Sequence, residues 1–232
     1  MSNPAGLPNL PDPEALFQSW WPIIIAVVCG TLYAARQYMH GAKCTSQTKL
    51  VGKTAIITGG NGSIGFEVAL DLAFRGAQVV LACRSEEEGQ TAVDKIIEKT
   101  NNKKVVAMKC DLMSFDSVKL FVDAFKKKDW PLHILINNAG VMMVNERELS
   151  EDSFEKQFQV NYLGAFLLTH LLLDKLKSSS PSRVINTLAS AYQLGEIYFD
   201  DISFNEVEYH TGRAFAQSKL ALALFTKTLS EY

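Results

Sequence analysis

The segment Lys53-Thr-Ala-Ile-Ile-Thr-Gly-Gly-Asn-Gly-Ser-Ile-Gly65 limits the folds open to this chain more than any other. Its first six residues, Lys53–Thr58, form a short run centred on Ile56 and Ile57, which predicts a buried parallel strand. A glycine-rich turn follows. Residues Phe66–Arg75 then carry Val68, Ala69, Leu72 and Ala73 at helical spacing, and Gly76 reads as the helix stop. Strand, glycine turn and helix in this order present free backbone N–H groups and the positive end of a helix dipole, the phosphate-cradling half of a dinucleotide fold. An ordinary loop satisfies the same short pattern, so the remainder of the chain decides between the two.

The remainder repeats the unit. Gln78–Cys83 predicts a second strand ending at Arg84, and Glu86-Glu-Glu88 opens a helix whose buried face is Ala92, Val93, Ile96 and Ile97. Val105–Cys110 predicts a third strand, closed by Asp111-Leu112, before a helix with Val118, Phe121, Val122 and Phe125. His133–Asn137 predicts a fourth strand, running into Asn138-Ala139-Gly140. A long helical region from about Glu151 to Leu176 contains Asn161-Tyr-Leu-Gly164, Arg183–Leu188 predicts a fifth strand, and a last helix runs from Ala214 to the chain end. This alternation implies the α/β class, a Rossmann-type, doubly wound parallel sheet with helices on both faces.

The chain has 232 residues, enough for one sizeable domain, and its net charge of −2 gives no electrostatic case for a nucleic-acid partner. Cys29, Cys44, Cys83 and Cys110 have no metal-ligand spacing, and no metal is expected; Cys83 and Cys110 read as core thiols in a reducing compartment.

Ahead of the repeats, residues 15–35 carry no charge and Trp20–Tyr33 is strongly apolar, close to the ~20 residues that span a bilayer. Trp20, Trp21 and Tyr33 stand near the ends, where aromatic belts lie. Asp12 and Glu14 precede the segment without any Lys or Arg, unlike the basic start of a cleaved signal peptide. Arg36, Lys43, Lys49 and Lys53 follow it with no acid among them, which orients the folded domain toward the cytosol. The expected organisation is a tail at 1–15, a transmembrane anchor at 16–36, a linker at 37–48 and the dinucleotide-type domain at 49–232. A buried or interfacial helix is the alternative, since Pro22 and Gly30 weaken the span.

Thr58-Gly59 through Gly65, Asn137–Gly140 and Asn161–Gly164, in this order and spacing, resemble the short-chain dehydrogenase/reductases, from about Lys49 to Tyr232. Leu-Ala-Cys-Arg84, Ile-Asn-Asn-Ala-Gly-Val-Met-Met143 and Gln-Ser-Lys-Leu-Ala221 are similar to the retinol dehydrogenase-like group of that superfamily. The resemblance implies a sheet ordered 3-2-1-4-5-6-7 and NAD(P) lying across the strand ends. It assigns cofactor contacts to Gly59, Asn61, Ser63, Ile64, Gly65, Arg84, Asp111, Leu112, Asn138, Ala139, Gly140 and Lys219. Arg84 stands where an NAD enzyme offers an acid, so a basic residue there suits the 2′-phosphate of NADP(H); a solvated surface charge is the other reading. Asp111 is an adenine partner or, equally simply, a helix N-cap. The catalytic set implied is Asn161, a serine and Lys219, with a tyrosine four residues before the lysine on the same helix face.

Three positions depart from that pattern. Phe215 occupies the tyrosine position, and a phenyl ring has no proton to give. Ala189 occupies the serine position in Asn186-Thr-Leu-Ala-Ser190, leaving Ser190 one residue late unless a bulge re-aims it. Ser63 stands where the family spacing Gly-x-x-x-Gly-x-Gly, at 59, 63 and 65, asks for its second glycine, with Gly62 one position early. The chain also ends within its last helix, so a truncated domain without the sixth and seventh strands is expected. Two functions follow. One is a membrane-anchored, NADP(H)-dependent oxidoreductase of the endoplasmic reticulum acting on a lipophilic alcohol or carbonyl, polyprenoid or retinoid in type. The other is an inactive nucleotide- or partner-binding relative. Self-association into an oligomer is left open by both.

Overall fold

The computed structural model describes residues 20–39, 41 and 44–231, in two units that divide after Gln47. The expected tail 1–15, residues 16–19 of the expected anchor, His40, Ala42 and Lys43 of the linker, and Tyr232 lie outside the described residues.

In the first unit, helix α1 (Trp21–Met39) is long and apolar enough to cross a membrane, and none of its residues is buried. Pro22 sits in its first turn, where no intrahelical N–H bond is lost. The helix continues past Arg36 into the stretch expected as linker. Gln37 Nε2 donates to Tyr33 Oη one turn back at 2.9 Å, a local pair that supports this last turn.

The second unit holds the sheet. Five parallel strands, β1 (Thr54–Thr58), β2 (Gln78–Cys83), β3 (Val105–Lys109), β4 (Ile134–Asn137) and β5 (Arg183–Asn186), lie in the order β3-β2-β1-β4-β5. Helices α2 (Ser63–Phe74), α3 (Glu86–Thr100) and α4 (Phe115–Lys127) connect the first four strands. Side chains alternate across a strand, so Ile56, Val80 and Leu135 face one layer and Ile57, Val79, Leu81 and Ile136 the other. The first layer packs on Val118, Phe121, Val122 and Phe125 of α4 and on Leu168, Leu172 and Leu176; the second packs on Ala69 and Ala73 of α2 and Ala92, Val93 and Ile96 of α3. Burial on both faces is why β1 and β2 read as continuous apolar runs.

Strands β1, β3 and β4 are each one residue shorter than the sequence expectation, starting at Thr54, ending at Lys109 and starting at Ile134 respectively, and larger differences lie elsewhere. Helix α2 begins at Ser63, not Phe66, because Gly62 is an extended N-cap and the glycine turn supplies the first helical turn itself. The long helical region begins at Lys156, not Glu151, where the Glu155 carboxylate caps the N–H of Phe158 at 2.8 Å. It then runs as α5 (Lys156–Phe158), a π-turn over Gln159–Leu163, α6 (Gly164–Leu171) and α7 (Leu173–Ser178). Strand β5 ends at Asn186, two residues early, as the chain leaves the sheet toward a 3₁₀ turn at Ser190–Leu194. The last helix, α8 (Thr211–Leu229), starts three residues early because His210 Nδ1 accepts from Gly212 N at 3.2 Å and caps it. The order in which the chain adds strands to the sheet reverses between β1 and β4, and a crevice opens there at the carboxyl ends of the strands.

Candidate active site

The glycine turn is built by close approach. Gly59 has φ of +65°, a left-handed backbone that favours glycine, and its N–H donates to Ala82 O at 2.9 Å. Gly65 has no room for a side chain: a Cβ there would collide with Gly59 O and stand 2.8 Å from Asn138 Nδ2. Gly62 is different, since a Cβ would meet only Gly59 O, at 3.4 Å. The Cβ forgone at 62 is carried at 63: Ser63 is exposed at the first position of α2. Thr58 fastens the turn to the neighbouring loop, its Oγ1 accepting from both Asn138 N and Ala139 N at 3.0 Å. Asn138 Nδ2 in turn donates to Thr58 O at 3.1 Å. A cavity of about 350 Å³ lies against Gly59, Asn61, Gly62, Ser63, Ile64, Gly65 and Asn138–Gly140. Exposed N–H groups at a helix start and a backbone surface cleared of Cβ atoms give it the chemistry of a phosphate cradle.

A second cavity of about 190 Å³ continues from the first along Gly59 and Asn61 to Arg84, Glu88, Asp111 and Leu112. Arg84 is exposed, and among the described residues no carboxylate lies within ion-pair distance of it. Asp111 is not a helix N-cap: Ser114 caps α4, and Asp111 Oδ1 instead accepts from Met113 N at 2.9 Å in an Asx turn. Asn61 Nδ2 donates to Glu88 Oε2 at 2.8 Å, joining the glycine turn to the first turn of α3.

The crevice meets α8 at Gly140. A Cβ on Gly140 would be 3.1 Å from Asn161 Oδ1 and 3.6 Å from Lys219 Nζ, so these three positions converge. Asn161 sits in the π-turn, the local widening that carries its amide to the loop after β4. There Oδ1 accepts from Val141 N at 2.8 Å, while Nδ2 donates to Val141 O and to Ser218 Oγ, both at 2.9 Å. Gly164, one turn on, packs where a Cβ would be 2.8 Å from Leu112 Cβ. The Lys219 ammonium is buried and donates to Thr187 O at 3.0 Å. Burial holds its pKa below the ordinary lysine value. Its nitrogen also stands 5.8 Å from the centroid of the Phe215 ring, a cation–π contact in the place of a hydroxyl.

Ser190 is not joined to this group. It is exposed at the start of the 3₁₀ turn, and among the described residues no hydrogen bond links its hydroxyl to Asn161, Phe215 or Lys219. Nor is Tyr209 a substitute for the missing hydroxyl. Its Oη donates to Val144 O at 2.9 Å, accepts from Gln157 Nε2 at 3.0 Å and lies 3.4 Å from Glu155 Oε1. Burial raises both the Glu155 and the Tyr209 pKa. Tyr192 shares the 3₁₀ turn with Ser190. Ser218 and Glu88 join the site with no distinct sequence signal of their own. Ser218 was visible only as part of Gln217-Ser-Lys219, and Glu88 only as one of three acids at a helix start. Among the described residues no cluster of His, Cys, Asp and Glu could hold a metal ion.

Residues 53–231 match the family model described as short chain dehydrogenase. Mouse retinol dehydrogenase 13 is 45% identical over 207 residues, covering 89% of this chain; the chain spans 62% of that relative. Human polyprenol dehydrogenase is 47% identical over 178 residues, or 75% of this chain and 53% of the relative. Among solved structures, an uncharacterized protein from Mycobacterium paratuberculosis superposes with a TM-score of 0.72 at 33% identity, over 83% of this chain and 66% of the other.

Proposed function

Because the chain belongs to the short-chain dehydrogenase family, we propose that it is a membrane-anchored NADP(H)-binding protein whose oxidoreductase step lacks its tyrosine proton. The family binds nicotinamide cofactors, and the cleared backbone of the glycine turn fits a dinucleotide pyrophosphate. Gly59, Asn61, Ser63, Ile64 and Gly65 would hold the phosphates, with Asn138, Ala139 and Gly140 beneath the nicotinamide half. Arg84 would hold the 2′-phosphate, and Asp111 and Leu112 would flank the adenine. When bound, the cofactor supplies or accepts a hydride at an alcohol or carbonyl carbon.

The protein must then move the matching proton at the substrate oxygen. Lys219 holds a buried positive charge at the point where Gly140 and Asn161 meet, which favours a developing oxyanion and the nicotinamide ribose. Phe215 offers that oxygen no proton, and Ala189 offers no hydroxyl. Asn161, clamped on Val141 and Ser218, keeps the loop after β4 at its distance from α8. The single observation that carries the reading is the Phe215 ring against Lys219 Nζ. Absence of a positioned acid slows turnover by at least ~10²-fold.

A lipophilic substrate, retinoid or polyprenoid in type, is supported by the names of the relatives and by α1. Arg36 in the last turn of that helix and Lys43, Lys49 and Lys53 beyond it support a cytosolic domain on an endoplasmic reticulum membrane. The test is NADPH-dependent reduction of a retinoid or polyprenoid aldehyde by the detergent-solubilised full chain. Wild type should stay near background, while Phe215→Tyr, alone or with Ala189→Ser, should gain about 10² in kcat with nucleotide affinity unchanged. Wild-type turnover at the usual ~1–10³ s⁻¹ would show that another group delivers the proton and would overturn the reading.

A further inference from the structure

Glu88 is an acid in the wall of the same cavity as Arg84, held there by a defined partner. It lies in the first turn of α3, where its backbone N–H is capped by Ser85 Oγ at 3.3 Å. A carboxylate at that place is ordinarily explained by the helix dipole alone. Here the side chain reaches back to the glycine turn instead, with Oε2 accepting from Asn61 Nδ2, and among the described residues Oε1 has no hydrogen-bond partner. Glu88 also forms the ridge to a larger outer cavity of about 660 Å³ bordered by Ser63, Thr91, Lys95 and Lys99. Because Glu88 makes no ion pair with Arg84, neither charge is cancelled by the other before a ligand arrives.

Resting on the cofactor reading above, we propose that Glu88, tethered by Asn61, is a selectivity-determining residue that opposes Arg84 and narrows the preference for NADPH over NADH. A phosphate monoester carries about −1.5 to −2 charge at pH 7. Arg84 attracts that group and Glu88 repels it, whereas a ribose 2′-hydroxyl can donate to the free Glu88 oxygen. One acid and one base on a shared wall therefore leave the two nucleotides close in affinity, where Arg84 alone would favour NADPH strongly.

Calorimetric titration of the detergent-solubilised full chain with NADPH and with NADH tests this, with circular dichroism to establish that each sample is folded. Wild type should bind the two within about tenfold of each other, and Glu88→Gln should tighten NADPH about tenfold while NADH stays within about twofold. The gain should shrink as salt rises, because both groups face solvent. Arg84→Gln should shift the ratio the other way, toward NADH. If both nucleotides bind and Glu88→Gln leaves their ratio unchanged, the inference falls and the cofactor reading stands. If the folded wild type binds neither, both fall.

Discussion

At the scale of single residues, the glycine turn separates positions that must lack a side chain from those that merely do. Gly65 is of the first kind, because any Cβ there meets the Gly59 carbonyl. Gly65→Ala should abolish NADPH binding in a calorimetric titration, since relieving the clash means moving the backbone proposed to hold the phosphates. Gly62→Ala should leave binding intact, as its Cβ enters ordinary contact, and cost about 1 kcal/mol of stability through the poorer N-cap. Equal loss in both variants would refute this account of the turn. The Phe215–Lys219 pair was legible in the sequence because four residues make one helical turn and both side chains lie on one face. The Asn61–Glu88 bond was not legible. Its partners are 27 residues apart on separate elements, and an acid three residues into a helix is explained locally without it.

At the scale of elements, the apolar spacing fixed which helices exist more reliably than where they start. Strand β2 was readable to the residue because Gly76 and Arg84 bound its apolar run. The start of α2 was hidden, since a glycine N-cap leaves no side-chain signature. The π-turn was hidden too: Asn161 takes its place by pairing with Val141, a tertiary partner that the periodicity of residues 156–171 does not contain. Helix α4 shows the readable case, with Val118, Phe121, Val122 and Phe125 buried on one stripe. Phe125 is fully buried, stacked on Phe121 at 6.5 Å and edge-on to Trp130 at 6.2 Å. Phe125→Ala should cost about 3–5 kcal/mol in urea unfolding. Leu120→Ala on the outer face of the same helix, where Leu120 is 70% exposed, should cost under about 0.5 kcal/mol. Comparable losses at the two positions would mean that α4 is not held by this stripe.

At the scale of the whole molecule, the chain joins an apolar helix, long enough to cross a membrane, to a parallel-sheet domain. None of the residues of α1 is buried by protein, so its stability depends on what surrounds it. In membranes, alkaline carbonate should leave the full chain in the pellet. The pair Val27→Asp and Val28→Asp, each acid costing about 2.5–3.5 kcal/mol at a bilayer centre, should release it to the supernatant while the sheet domain keeps its circular dichroism. Retention of that variant in the pellet would indicate attachment by some other surface.

The staple at Thr58 has a bearing on how the domain comes to exist. Its oxygen receives the N–H of Asn138, 80 residues along the chain, whereas β1 meets β2 within the same β-α-β unit. Non-local pairings of this length are slow to form because loop closure precedes any reward from contact. The crevice between β1 and β4 is therefore expected to assemble late, after the local parallel β1-α2-β2 unit on its other side. A nucleotide that recognises both walls has nothing to bind until that step is complete, so it acts by retarding unfolding of the finished domain and leaves the early folding rate as it was.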